Sequence, residues 1–172
     1  VSVAGATTVS DRLVHKFGAL AESPWVGVTH HFPSPERLAG LGVEEIATIG
    51  VPKTRAATIQ HFSSFTVAGG LQVQVGISLE ELILRLKALP GIGEWTAQYI
   101  AMRALRFPNA FPAGDLGLQK AVGGEASQLA ARCTEKQLLL RAEAWSPWRS
   151  YAALLLWQSL SDLPEANVGL IG

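Results

Sequence analysis

The segment Leu89-Pro90-Gly91-Ile92-Gly93 separates two helical patterns within five residues. Before it, Leu79, Leu82, Ile83 and Leu86 recur at helical spacing. Ser78 with Glu81 three residues on predicts a capping box at the start of that helix. After it, a second helix is expected from Glu94 to about Leu105. A proline followed by two glycines ends one helix and lets the backbone turn sharply into the next. The chain is thus constrained to two helices joined by a tight hairpin, over about 79–105.

The same punctuation runs through the chain, with 17 glycines and nine prolines between short apolar stripes of helical period. Helices are expected over 2–17, with Gly18 after it, from Ser34-Pro35 to Ala39, over 43–46, and from Pro52 to about Ala68. Further helices are expected from Asp115 to about Val122 and over 134–145. The last runs from Ser146-Pro147, as N-cap and first residue, to Leu160. Residues 73–75 read as an extended connection, and the tail from Pro164 reads as loose. The expectation is an all-α, multi-helix fold in one domain over 1–172.

Composition narrows the function classes. Apolar residues are 48% of the chain, which excludes intrinsic disorder. Lysine plus arginine number 14 and aspartate plus glutamate 14, so the net charge is zero and a polycationic arm is excluded. A nucleic-acid binder of this charge has to work through local contacts. The single cysteine, Cys133, makes neither an internal disulfide nor a four-cysteine zinc or iron–sulfur site, and reads as a small buried side chain. Four histidines look scattered, and the His30-His31 pair lacks the partners of a zinc site. No apolar run reaches the ~18 residues of a membrane span, and no signal peptide is visible. A soluble intracellular protein is expected. The chain starts at Val1 inside a helical pattern, which suggests further residues upstream.

Free backbone N–H groups at the start of the hairpin's second helix make a site for an anion such as a phosphate, without a lysine. A bare Gly-x-Gly is often only a tight turn. The longer stretch LPGIGEWTAQY, Leu89 to Tyr99, is far more specific and resembles the hairpin of the helix–hairpin–helix DNA glycosylases. Asp115 follows in FPAGDLGLQKAVG, twenty residues beyond Trp95. A lone aspartate there reads as a helix N-cap. In the superfamily, an aspartate follows the hairpin after a Gly/Pro-rich loop. The match continues through Trp145–Tyr151 and Trp157, and includes Val1–Phe17 and Pro52–Ala56. Over about Val1–Leu160 the chain resembles the alkylation-repair branch, the DNA-3-methyladenine glycosylase II type, of the HhH-GPD superfamily.

That resemblance implies hydrolysis of the N-glycosidic bond of alkylated purines, such as 3-methyladenine and 7-methylguanine, in double-stranded DNA. Asp115 is then the carboxylate that stabilises the oxocarbenium-like sugar or activates water. Trp95, Tyr99 and Trp157 would line the pocket for the flipped base, where ring faces attract a cationic purine. Core packing is the plainer reading of these aromatics, and Trp145 and Trp148 are read that way. Leu116 stands where some relatives carry an aromatic residue, which bears on substrate preference. Leu89, Gly91, Ile92, Gly93 and Thr96 would hold the DNA phosphate. Carbonyls of Lys87, Leu89 and Gly91 would hold a sodium or potassium ion, and no other cofactor is implied. Lys53 and Arg55 read as a solvated face, with phosphate contact as the alternative.

The bifunctional branch carries a lysine after the hairpin glycines, where this chain has Trp95, and neither Lys87 nor Lys120 is in register. The resemblance therefore implies a monofunctional enzyme. It also implies that the chain lacks the family's N-terminal part, including the side chain that wedges into DNA. Self-association through the surface left bare is expected from this. A bacterial-type, cytoplasmic, nucleoid-associated protein is implied. The alternative is a non-catalytic hairpin module that binds DNA; a mismatch or oxidised-base glycosylase is a third reading.

Overall fold

The computed structural model describes residues 3–72, 76–123 and 133–161. They fold as two compact units, one of residues 1–76 with 88–92 and the other of 77–87 with 93–172. Among the described residues the elements are helices, and sheet-like pairing is confined to an isolated antiparallel bridge between Leu20 and His30. The all-α expectation holds.

In the first unit, α1 (Val3–Phe17), α2 (Pro35–Ala39), α3 (Val43–Ala47) and α4 (Lys53–Val67) share one core. Leu13 and Phe17, one turn apart on α1, pack with Leu38, Leu41, Ile46, Ile49, Val51 and Ala56. Ala56 is fully buried, and α4 packs against both α2 and α3. Ser34 caps α2 as expected, accepting the Arg37 N–H at 3.2 Å. Arg12 donates to the Ile49 carbonyl at 3.3 Å, Lys16 to Thr48 Oγ1 at 2.6 Å, and Gln60 to the Leu41 carbonyl at 2.6 Å. Between α1 and α2 the loop exposes Leu20, Trp25, Val26, Val28 and Phe32. The histidines are less scattered than they read: the rings of His15 and His30 lie 5.0 Å apart. Among the described residues no three metal-ligating side chains come together.

The second unit holds α5 (Leu79–Lys87), α6 (Glu94–Arg103), α7 (Leu116–Gly123), α8 (Glu135–Ala142) and α9 (Arg149–Ser161). A 3-10 turn (Glu143–Trp145) follows α8. Leu82, Leu86, Leu118 and Leu138 are fully buried, and so are Ala97 and Ala101 on one face of α6. Such small side chains let neighbouring helices approach closely. α5 packs on α6 and α7 on α9. Thr134 caps α8 in a complete capping box with Gln137. Cys133 is buried, as expected.

Four local expectations change. Residues 145–148 form a tight turn closed by Trp148 N–H to the Trp145 carbonyl at 2.7 Å. The last helix therefore starts at Arg149, not at Pro147. α6 ends at Arg103, two residues short, because Arg106 turns the backbone to a φ of 59°. Ser78 caps α5 through the Glu81 N–H at 3.1 Å, but the Glu81 carboxylate pairs with Arg85 one turn on, so only half of the capping box forms. Trp148 is 58% exposed and is no core residue, whereas Trp145 packs edge-on against Phe111 at 5.9 Å. The expected connection at 73–75 and the tail from Pro164 lie outside the described residues.

Candidate active site

Asp115 ends the loop after α6 and caps α7, its Oδ1 accepting the Leu118 N–H at 3.0 Å. The N-cap reading is thus correct, and it is half of what the carboxylate does. Trp157 of α9 donates its indole N–H to the same Oδ1 at 3.0 Å. Trp95 of α6 donates to Oδ2 at 3.3 Å. Three N–H donors from three segments suit an acceptor-only carboxylate.

The aromatic trio gathers around that carboxylate. Trp95 and Tyr99, four residues apart on α6, stack with centroids 5.3 Å apart. Tyr99 also meets Trp157 at 6.0 Å, tilted by 56°. Trp95 and Tyr99 keep exposures of 42% and 36%, too high for plain core residues. Leu116 is 63% exposed beside Asp115. A hollow of about 150 Å³ is lined by Trp95 with Gln98, Glu135 and Arg149, and by neither Tyr99 nor Trp157.

Sequence reasoning missed the residues that hold Asp115 in place. The loop's Phe111 N–H and Ala113 carbonyl are satisfied by side chains. Gln98 Oε1 accepts the Phe111 N–H at 3.0 Å, and Gln119 Nε2 donates to the Ala113 carbonyl at 3.0 Å. Gly117 is the other omission. A Cβ there would lie 2.9 Å from Asp115 Oδ1 and 3.5 Å from the Trp157 ring, so glycine leaves room for their hydrogen bond.

The hairpin glycines have different tasks. Gly91 has a φ of 86°, and a Cβ on it would meet Thr58 Oγ1 at 2.0 Å. Gly93 is the N-cap of α6 in ordinary extended backbone, without a side-chain cap, and a Cβ on it would meet nothing within 4 Å. Ile92 N–H closes the turn onto the Leu89 carbonyl at 3.1 Å and is therefore not a free phosphate donor. The N–H groups of Glu94, Trp95 and Thr96 have no partner inside the helix, because they begin it. Lys87 donates to Glu94 Oε2 at 2.7 Å and Gln98 to Oε1 at 3.0 Å. These bonds, Lys87's first, hold the Glu94 carboxyl below its usual pKa.

The chain is similar to known DNA repair proteins. The chain is 39% identical over 93% of its length to a Mycobacterium tuberculosis protein described as a probable bifunctional transcriptional activator/DNA repair enzyme AlkA, of which it spans 31%. It is 31% identical over 96% of its length to DNA-3-methyladenine glycosylase 2 of Escherichia coli, of which it spans 55%. The chain thus spans 31% to 55% of the length of these relatives. The 3-methyladenine DNA glycosylase of Archaeoglobus fulgidus has the same fold, with a TM-score of 0.79 at 24% identity over 96% of this chain and 55% of that one. A Schizosaccharomyces pombe 3-methyladenine DNA glycosylase in complex with abasic DNA gives 0.73 at 23%, over 94% of this chain and 74% of that one. Residues 1–149 match the family of HhH-GPD base excision DNA repair proteins, which includes both the hairpin and Asp115. The chain belongs to the HhH-GPD superfamily of base excision DNA repair proteins.

Proposed function

We propose that this chain binds duplex DNA through the first turn of α6 and hydrolyses the N-glycosidic bond of alkylated purines, without a strand-cleaving step. One observation carries the reading: a carboxylate held by two indole N–H groups whose rings, with Tyr99, form an exposed aromatic face. A plain N-cap needs neither indole. The relatives named for 3-methyladenine support the same substrate class.

As the base leaves, positive charge builds on the deoxyribose. Asp115 Oδ1 is occupied by Leu118 N–H and the Trp157 indole, whereas Oδ2 has one long bond from Trp95. Oδ2 is therefore the oxygen that faces the sugar or positions the attacking water. An N3- or N7-alkylated purine is cationic, and each electron-rich ring face attracts it by about 0.5–2 kcal/mol. The alkyl charge already weakens the bond, so the leaving base needs no general acid. Neutral carbonyls suit a monovalent ion, and those of Leu89 and Gly91 are proposed to hold sodium or potassium beside a phosphate. Leu89's carbonyl keeps one lone pair after accepting Ile92 N–H.

The test is release of 3-methyladenine and 7-methylguanine from alkylated duplex DNA by the parent and by Asp115→Asn. Release should fall at least about a hundredfold in the variant, the loss that removal of one key electrostatic group brings. No strand break should appear before alkali. A folded parent that binds DNA and releases no base would overturn the enzyme reading and leave a hairpin module that only binds.

A further inference from the structure

We propose that the hollow beside the hairpin turn, formed by Thr54, Arg55, Thr58 and His61 with Pro90 and Gly91, seats a second backbone phosphate of the bound DNA. The inference rests on the DNA-binding reading above. The hollow measures about 500 Å³ and is open to solvent. Thr54, Thr58 and His61 lie at i, i+4 and i+7 on α4, so they form one stripe, with Arg55 beside it. Gly91 seats the hairpin turn directly on that stripe, since even a Cβ there would overlap Thr58. Gly91 and Gly93 are two peptide units apart, at most about 7.6 Å between Cα atoms. The hairpin turn that leads into α6 is itself one wall of the hollow, through Pro90 and Gly91.

The chemistry of the lining fits a phosphate. Arg55 is exposed and makes no ion pair or side-chain hydrogen bond among the described residues. His61 and the Thr54 hydroxyl add donors, and no carboxylate lines the hollow. The neighbouring Lys53 is neutralised by Glu44 at 2.7 Å, so Arg55 is the cation left uncommitted on this turn of α4. Its planar fork matches two phosphate oxygens. A chain with zero net charge has no bulk field to draw DNA in, so single unpaired cations at the interface matter more.

The experiment measures the affinity of the 172-residue chain for a duplex carrying a tetrahydrofuran abasic analogue, at several salt concentrations. Arg55→Gln is compared with Lys53→Gln, Gly93→Asp and the parent, with thermal unfolding as the folding control. Arg55→Gln should keep the parent's unfolding midpoint. It should lower the slope of log affinity against log salt by about 0.9, so that its deficit shrinks about 3.5-fold between about 50 and 200 mM salt. Lys53→Gln should run parallel to the parent. The inference is overturned if Arg55→Gln runs parallel to the parent, or if Lys53→Gln changes the slope as much. If Gly93→Asp loses binding while Arg55→Gln does not, this inference alone falls. If the folded parent does not bind DNA, the DNA reading falls with it.

Discussion

A side chain at position 91 would meet Thr58 Oγ1 at 2.0 Å and would need a positive φ, whereas one at position 93 would meet open space in ordinary backbone. The two hairpin glycines should therefore respond oppositely to substitution. Gly91→Ala should destabilise the fold by about 1–3 kcal/mol, read by urea unfolding. Gly93→Asp adds a favoured N-cap, so stability should stay level or rise by a few tenths of a kcal/mol. The same carboxylate repels a phosphate, so Gly93→Asp should lose DNA binding while it stays folded. If Gly93→Asp binds as the parent does, the first turn of α6 is not the phosphate site. Trp157→Phe keeps a ring and deletes the indole donor to Asp115. A hydrogen bond to a charged group is worth about 1.5–3 kcal/mol, so single-turnover base release should slow about tenfold or more. Trp95→Phe, which deletes the longer bond to Oδ2, should slow it less.

At the scale of the element, the loop from Phe107 to Gly114 decides where Asp115 points. Gln98 and Gln119 hold its later half, and α9 holds its start. Ser150 Oγ lies 2.7 Å from both the Phe107 and Ala110 carbonyls and shares one proton between them, while its N–H donates to the Pro108 carbonyl. Arg149 adds a bond to Asn109 at 2.7 Å. Ser150 is buried, so Ser150→Ala should cost about 1–3 kcal/mol, seen as a lower unfolding midpoint. The Lys87–Glu94 pair joins the end of α5 to the start of α6. The Glu94 carboxyl is held below its unfolded value by Lys87 and then Gln98. Its contribution is therefore present above the unfolded pKa and disappears as pH falls through the folded one. The pair is almost half exposed, so Glu94→Gln should lose only a few tenths of a kcal/mol at neutral pH. That deficit should vanish in acid; a deficit that persists there would mean that the pair is not its source.

For the whole molecule, zero net charge and a single hairpin predict weak non-specific DNA binding. The resemblance puts Trp95 where the lyase branch has its lysine, and Lys87 is engaged by Glu94. Borohydride added during turnover should therefore trap no covalent protein–DNA adduct, and a trapped adduct would contradict the monofunctional reading. The helices, the cap at Ser34 and the hairpin were legible because they depend on neighbours within four residues. Asp115 was legible as a helix cap for the same reason, and the catalytic role proposed for it came from the resemblance, through its place after the hairpin. The sequence misplaced the start of α9 because it does not reveal that the chain turns over 145–148, where the Trp148 N–H closes onto the Trp145 carbonyl. What only the tertiary structure decided is how Asp115 is held. The indoles that reach it come from 20 and 42 residues away. A spacing along the chain predicts which residues share a helix face. Which faces meet is decided by packing, through the helix contacts that bring Trp95 and Trp157 to one carboxylate.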